Sequence, residues 1–243
     1  MTYDEYVERY RTHEGVIVGR KLLPGGDVIL RLVGPEGSVD VIARKAQRPS
    51  GRSGRLMLFH HIRYQAYHKP DRDLATLTQA ELVGRLEKLS HPNRYPPAAY
   101  LAELAYRLAA PEVAEPIWNI FISGLRGIAN HPEPGVPLVW SGWRLLAAAG
   151  LAPRLTSRCG HNPIFLELEG SLACEICALD PAYPLGPSGV ELLAAVLRRP
   201  GKEAVVFLEK KGWRSLLQAL VRYVAYQLEP LRSESSLRNF LSK

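Results

Sequence analysis

A run of basic residues in the first third of the chain is the feature best suited to chemistry with a polyanion. From Val41 to Pro70 the sequence contains no Asp or Glu. Its cationic residues are Arg44, Lys45, Arg48, Arg52, Arg55, Arg63 and Lys69. Guanidinium and ammonium groups on a turn-rich loop can follow a phosphate backbone without reading the bases, and such binding weakens steeply as salt rises. This segment therefore predicts contact with a nucleic acid of any sequence.

Three aromatic residues, Phe59, Tyr64 and Tyr67, lie in a strand-like stretch that follows residues 44–55, which we call the basic loop. Rings beside cations favour the binding of single strands, because unpaired bases stack on them. Phenylalanine and tyrosine rings are equally common as the filling of a small β-barrel. The sequence leaves both interpretations open, because neither face of this stretch is wholly apolar.

The cysteines form a second group that could do chemistry. Cys174 and Cys177 have the CxxC spacing of a metal-binding turn, and Cys159 precedes them across a strand-like segment. A structural zinc site usually has four sulfur or nitrogen ligands. Thr156 stands where a second CxxC would place its other cysteine, so His161 is the nearby substitute. The sequence predicts a zinc-ribbon-like insert that either binds one structural zinc ion through these four residues or is stabilised by apolar packing alone.

A rival interpretation comes from His60, His61 and His68 together with Asp71 and Asp73, which suggest a metal-dependent nuclease. Adjacent strand residues point to opposite faces, so His60 and His61 cannot both bind one ion from a regular strand. The sequence has no GxxxxGK[ST] phosphate loop and no GxSxG nucleophile motif, which argues against nucleotide hydrolysis, a nucleotide cofactor and this class of hydrolase. A non-enzymatic function is therefore expected, either in binding DNA or in bridging the partners of an RNA or transcription complex.

Composition limits where such a protein could act. The chain has 243 residues, a net charge of +7 and three cysteines, a composition that predicts a soluble cytoplasmic protein without a disulfide framework. Asp4, Glu5 and Glu8 near the amino terminus argue against a secretory signal. The most apolar segment, residues 138–151, is shorter than the roughly 20 residues needed to span a bilayer. No membrane association is expected.

The elements that must position these residues change character along the chain. Residues 15–84 read as five short strands separated by glycine- and proline-rich turns, a pattern typical of an OB-fold barrel. Beyond residue 85 the apolar residues recur at helical spacing, and after Ser188 two more helical patterns follow. We therefore predict a multidomain α+β protein, with a five-stranded barrel followed by an all-helical domain that carries the ribbon-like insert. The predicted boundaries are 1–84 for the barrel, 85–154 and 183–243 for the helices, and 155–182 for the insert.

Four stretches of the sequence resemble the RecO family. Residues 15–33 are similar to its opening hairpin, residues 43–49 to its basic third strand and loop, residues 74–82 to the strand that closes its barrel, and residues 220–228 to its last long helix. The resemblance implies a protein of DNA repair and homologous recombination that anneals complementary strands without ATP. It also implies binding to single- and double-stranded DNA, partnership with RecR, contact with the carboxyl-terminal tail of single-stranded DNA-binding protein, and assistance in loading RecA.

The resemblance also assigns roles to residues of this chain. DNA binding is expected at Arg44, Lys45, Arg48, Arg52 and Arg55, with Arg20, Lys21 and Arg63 as further candidates. The resemblance places the protein in the cytoplasm, associated with the nucleoid. Thr156 departs from the zinc-binding members of the family, which have a cysteine at that position.

Overall fold

Five strands close into a barrel at the amino-terminal end of the computed structural model, which describes residues 10–47, 54, 56–67, 74–157, 160–179 and 182–242. The strands are β1 (Tyr10–Leu22), β2 (Val28–Gly34), β3 (Gly37–Ala43), β4 (His60–Tyr67) and β5 (Ala75–Arg85). Their order around the barrel is β1-β2-β3-β5-β4, in which only β3 and β5 pair in parallel. The predicted five-stranded OB-fold-like barrel is confirmed.

Apolar side chains fill the barrel because they alternate along each strand. Leu30 and Leu32 of β2, Val41 of β3 and Ile62 of β4 are completely buried in this core. Each of these residues lies opposite an apolar residue of the neighbouring strand that also packs in the core. The core is therefore continuous from strand to strand.

A β-bulge changes the face of β1 midway along the strand. Ile17 pairs with Leu32, but the next paired residue is Gly19, opposite Arg31. The extra residue, Val18, reverses the alternation of side chains that follows it. As a result, Arg20 pairs with Leu30 and shares its inner face, whereas Lys21 points outward.

The fourth strand is shorter than its sequence pattern indicates. The apolar and aromatic residues of 56–67 are typical of one continuous strand, whereas β4 begins at His60. Phe59 has a positive φ of 61°, and the His60 amide donates a hydrogen bond to the Met57 carbonyl at 3.2 Å. This turn interrupts the extended backbone at residues 57–60, so the strand begins only at His60.

Helices form most of the remaining chain, as predicted from the spacing of apolar residues. They are α1 (Tyr95–Leu108), α2 (Ala114–Asn130), α3 (Gly135–Ala148), α4 (Gly186–Arg198), α5 (Gly201–Lys211), α6 (Arg214–Leu228) and α7 (Glu234–Leu241). The two helical patterns predicted after Ser188 are four helices. Pro200 lies in the break between α4 and α5, and Gly212, with a φ of 90°, ends α5.

A three-stranded antiparallel sheet interrupts the helices. Its strands are β6 (Phe165–Glu167), β7 (Ser171–Ala173) and β8 (Ala182–Pro184), with β6 in the centre. Such short strands bury few side chains. Leu166 at the centre of β6 and Leu172 at the centre of β7 face each other and are fully buried.

The described residues fall into two compact units. One lies within residues 1–87 and 105–119 and contains the barrel; the other lies within residues 88–104 and 120–243. In the second unit the Trp213 ring lies against the backbone of Gly135, where a Cβ would overlap it, and the Trp143 and Tyr223 rings are 5.4 Å apart. Among the described residues, no helix is both long enough and apolar enough to cross a membrane.

Candidate nucleic-acid interface

Four of the predicted DNA-binding cations lie at one end of the barrel. Arg20 and Lys21 are near the end of β1, and Arg44 and Lys45 follow β3 directly. The β1–β2 turn is at the same end, because β1 and β2 are antiparallel neighbours and β2 and β3 are as well. We refer to Arg20, Lys21, Arg44 and Lys45 as the basic end.

Asp27 holds the two turns of the basic end together. Its Oδ1 accepts a hydrogen bond from the Lys45 backbone amide at 2.7 Å, and its Oδ2 is 3.8 Å from the Arg44 guanidinium. The Gln47 amide also donates to the Gly26 carbonyl at 3.2 Å. Gly25 and Gly26 both have a φ of 89°, which glycine adopts without a steric penalty. These bonds fix the backbone that carries the cations while leaving the lysine side chains free to reach a ligand.

The cations of the basic end are only partly neutralised. Lys21, Arg44 and Lys45 are exposed. Within the described part of the chain, no carboxylate forms an ion pair with the Lys21 or Lys45 ammonium. Asp27 therefore offsets part of the charge of a group that is otherwise positive. Exposed cations of this kind attract phosphate groups from solution.

Arg63 lies elsewhere on the barrel. It is in the middle of β4, where its Cα pairs with Glu14 on one side and Glu81 on the other. The Arg63 guanidinium is 3.8 Å from the Glu81 carboxylate. The structure therefore brings Arg20, Lys21, Arg44 and Lys45 together but separates Arg63 from them.

The other predicted DNA contacts, Arg48, Arg52 and Arg55, lie outside the described residues. By sequence, residues 44–55 contain no Asp or Glu that could neutralise them. Their role stays a prediction.

The aromatic rings beside the basic loop differ in exposure. Tyr64 is 4% exposed and belongs to the barrel core, and Phe59 is buried as well. Burial, and to a smaller extent the negative charge of Glu36, raises the pKa of Tyr64 above its usual range. For Tyr64 and Phe59 the structure therefore favours the core interpretation over base stacking, whereas Tyr67 is half-buried.

The other end of the barrel is acidic. No sequence motif predicts that its glutamates lie together. His13 Nδ1 is 2.8 Å from a Glu36 carboxylate oxygen, and His61 Nε2 is 2.7 Å from a Glu14 oxygen. A cavity of about 220 Å³ there is lined by His13, Glu14, Glu36 and Tyr64, among others. We refer to these four residues as the acidic end. The partners are up to 47 positions apart in sequence, and strand register alone brings them together.

In the described residues, the histidines of the rival nuclease interpretation do not belong to any group of three or more metal-ligating side chains. His61 is bound to Glu14, and its ring lies 5.4 Å from the Trp118 ring in an edge-on contact. His68, Asp71 and Asp73 lie outside the described residues. The group of metal-ligating side chains found in the described part of the chain is in the second unit.

This group consists of His161, Cys174 and Cys177, whose ligand atoms all lie within 4.8 Å of one another. Cys174 Sγ is 3.8 Å from His161 Nδ1. A sulfur and an imidazole nitrogen on one tetrahedral zinc ion would be about 3.5 Å apart, given bond lengths of about 2.3 and 2.0 Å. The donor set and its spacing therefore suit zinc. Cys159, the fourth predicted ligand, lies outside the described residues.

Hydrogen bonds within the CxxC turn, and one from the residue after it to the sheet, hold the turn in place. The Cys177 and Ala178 amides donate to the Cys174 carbonyl at 3.2 and 3.0 Å, which closes the turn. Glu167, which is buried at the end of β6, accepts a hydrogen bond from the Leu179 amide at 3.0 Å just beyond it. The turn is thus tied to the sheet by its backbone as well as by strand pairing.

Comparison with known proteins gives two findings. The family model described as "Recombination protein O C terminal" matches residues 89–236 of the chain. A DNA repair protein RecO from Desulforudis audaxviator (strain MP104C) is 26% identical over an alignment of 235 positions, which covers 92% of this chain and 93% of that protein. The likeness thus extends over the barrel as well as the helical region.

Proposed function

The chain belongs to the RecO family of DNA repair proteins, and we propose that it binds single- and double-stranded DNA at the basic end and anneals complementary strands without ATP. The observation that carries this proposal is the convergence of Arg20, Lys21, Arg44 and Lys45, with Asp27 as the single carboxylate that pairs with them in the described residues. We expect the basic loop, with Arg48, Arg52 and Arg55, to extend the same surface.

Annealing has physical requirements that such a surface meets. Two DNA strands repel each other through their phosphates, and bound cations lower that repulsion. Binding must also be weak enough for bases to exchange partners, which exposed lysine and arginine side chains allow. No step requires a nucleophile or a proton donor. We therefore propose a recombination mediator that does not act as an enzyme.

Family membership supports a set of partners for this activity. We propose that the protein acts with RecR, binds the carboxyl-terminal tail of single-stranded DNA-binding protein, and helps to load RecA onto strands coated by that protein. This work would take place in the cytoplasm, at the nucleoid.

An annealing assay tests the proposal. Two complementary oligonucleotides carrying a fluorescence donor and acceptor are mixed with the protein in the presence of a chelator and without ATP, at several salt concentrations. We expect faster duplex formation than without protein, and a smaller acceleration at higher salt. The Lys21→Ala/Lys45→Ala variant should lose most of the acceleration, whereas Glu36→Gln should keep it.

Several outcomes would contradict the proposal. Absence of acceleration at every salt concentration would remove the annealing function. Cleavage of the strands when Mg²⁺ or Mn²⁺ replaces the chelator would support a nuclease. Tighter binding to structured RNA than to single-stranded DNA would support a bridging role in an RNA complex.

We also propose that His161, Cys174 and Cys177 hold one structural zinc ion, with Cys159 as the fourth ligand. The support is the close grouping of the three described donors and the suitability of thiolate and imidazole ligands for zinc. A bound ion would link the segment before β6 to the CxxC turn, and a sheet of such short strands gains stability from a link of this kind.

Metal analysis of untagged protein tests this second proposal. We expect about one zinc per chain, and a lower unfolding temperature after chelation. Cys177→Ser should lose the metal and show no further change on chelation. Wild-type protein that is metal-free and whose unfolding temperature is unaffected by added zinc would contradict the proposal.

A further inference from the structure

Arg20 is an unusual residue for the inside of a barrel. Its Cα pairs with that of Leu30, a core residue, so its side chain enters the inner face at the basic end. Its Nε is buried and has no hydrogen-bond partner among the described residues. The contact of its guanidinium in the described structure is from Nη1 to the Met57 sulfur, at 3.4 Å. A thioether is a weak acceptor, so the hydrogen-bonding capacity of this cation is largely unused.

Two apolar side chains next to Arg20 are exposed. Leu22 is on the same face of β1 two residues further along and is 59% exposed, and Met57 is 43% exposed. The backbone holds Met57 in place, because the Phe59 amide donates to the Ile17 carbonyl at 2.8 Å and the His60 amide donates to the Met57 carbonyl. The exposure of Met57 is therefore built into a fixed turn.

These neighbours identify the kind of ligand that fits. The Arg20 guanidinium donates to a weak thioether acceptor in the described residues, and a phosphate could offer it a stronger one. A phosphate would leave Leu22 and Met57 exposed to water. A nucleobase meets both requirements, because its edge offers acceptor atoms for guanidinium N–H groups and its face is apolar enough to cover aliphatic and thioether groups. The flanking cations, Lys21, Arg44 and Lys45, would then bind the phosphates of the same strand.

We propose that Arg20, Leu22 and Met57 form a pocket for one unpaired nucleobase at the mouth of the barrel. The inference rests on the proposed function, since it names the part of the DNA that this end recognises. A base in a duplex has its faces covered by its neighbours, so the pocket selects single strands. It gives the surface a preference for unpaired bases while the surrounding cations bind any phosphate backbone.

The test compares two oligonucleotides of equal length and charge, one of thymidines and one of abasic sites. Wild-type protein should bind the thymidine strand at least about fivefold more tightly, which corresponds to roughly 1 kcal/mol. The Leu22→Ser/Met57→Ser variant should bind both strands equally, with an unchanged dependence on salt. Val206→Ser is the matched control, because Val206 on α5 is 48% exposed but belongs to the second compact unit, and it should keep the preference.

A second variant separates ligand binding from a structural role of Arg20. Arg20→Met removes the unpartnered nitrogen, so its unfolding temperature should equal or exceed that of the wild type while the preference for thymidines is lost. A lower unfolding temperature with the preference retained would assign Arg20 to structure alone.

The failure of this inference is distinguishable from failure of the proposed function. Equal, salt-dependent binding of both oligonucleotides by wild-type protein would overturn the base pocket and leave a surface that binds phosphates only. Absence of binding to either strand would overturn the proposed function and the pocket together.

Discussion

The two ends of the barrel carry opposite charge, although a single strand contributes to both. In β1, His13 and Glu14 lie at the acidic end, and Arg20 and Lys21 lie at the basic end. At the acidic end each of the two glutamates meets a histidine at hydrogen-bonding distance. At the basic end, Asp27 is the one carboxylate of the described residues that contacts the group, and it meets Lys45 and Arg44.

This difference shows why local arrangement matters more than total charge. A net charge of +7 would allow DNA to bind almost anywhere on the surface. Carboxylates at the acidic end repel phosphate, and polar groups that are already paired gain little from a ligand. Cations without partners gain the most. We therefore propose that DNA binds at the basic end, which can be tested by altering each end of the barrel separately.

Charge reversal at the basic end should have the largest effect. In Lys21→Glu/Lys45→Glu, two attractions become repulsions, each change being worth about 2 kcal/mol at contact distance in water. Affinity for single-stranded DNA at low salt should fall by up to about a thousandfold, measured by fluorescence anisotropy. The Lys45 backbone amide still donates to Asp27 in this variant, so the turn should persist.

The matched change at the acidic end is Glu36→Gln, which should alter affinity by less than about twofold because phosphates do not approach it. A thousandfold loss of DNA affinity in Glu36→Gln, or no loss in Lys21→Glu/Lys45→Glu, would contradict the proposed location of DNA at the basic end.

Neutralising Asp27 should strengthen binding. Asp27→Asn removes the charge opposite Arg44 but keeps an amide oxygen to accept the hydrogen bond from the Lys45 amide. Loss of one repulsive charge near the phosphates is worth about 1 kcal/mol, or about fivefold in affinity at low salt. The gain should vanish at high salt. Weaker binding by Asp27→Asn, in a variant with wild-type thermal stability, would show that phosphates do not lie near this carboxylate.

Arg63→Ala tests a cation that belongs to neither end of the barrel. Because Glu14 and Glu81 flank Arg63, we expect its removal to lower DNA affinity less than about twofold. Lys45→Ala is the matched substitution at the basic end and should cost about fivefold. If Arg63→Ala weakens binding as much as Lys45→Ala, the interface extends around the barrel to β4.

Tyr64→Phe should have no effect on DNA affinity at neutral pH, because the ring is inside the barrel. Its effect should be on stability in alkali. Burial raises the pKa of Tyr64 above the ordinary value near 10, so the folded state holds the proton more tightly than the unfolded state. The stabilisation is complete below that value and is lost as pH rises above it. The fall in unfolding temperature above pH 10 should be smaller for Tyr64→Phe than for the wild type.

Turn signals and apolar spacing were sufficient to predict the barrel and the helices. Clusters such as Pro24-Gly25-Gly26 can be accommodated only in turns, so they separated the strands correctly. The CxxC spacing and the strand-like segment before it likewise predicted the grouping of Cys174 and Cys177 with His161, because a hairpin brings its two ends together.

Features that depend on register could not be predicted in this way. Regular alternation from Ile17 would point Lys21 inward and Arg20 outward, and the bulge at Val18 exchanges them. The acidic end depends on pairing between β1 and β4, which are distant in sequence. Short-range patterns carry no information about such pairs, so the inner position of Arg20 and the contact of His61 with Glu14 required the structure.

The salt dependence of DNA affinity tests whether phosphates bind at the basic end. The slope of log affinity against log salt is measured for wild-type protein and for Lys21→Ala/Arg44→Ala/Lys45→Ala on the same single-stranded oligonucleotide. Three lost phosphate contacts should reduce the magnitude of the slope by about two, since each contact on a single strand contributes about 0.7. An unchanged slope in this variant, or an equal reduction in Glu14→Gln/Glu36→Gln, would contradict the assignment of DNA to the basic end.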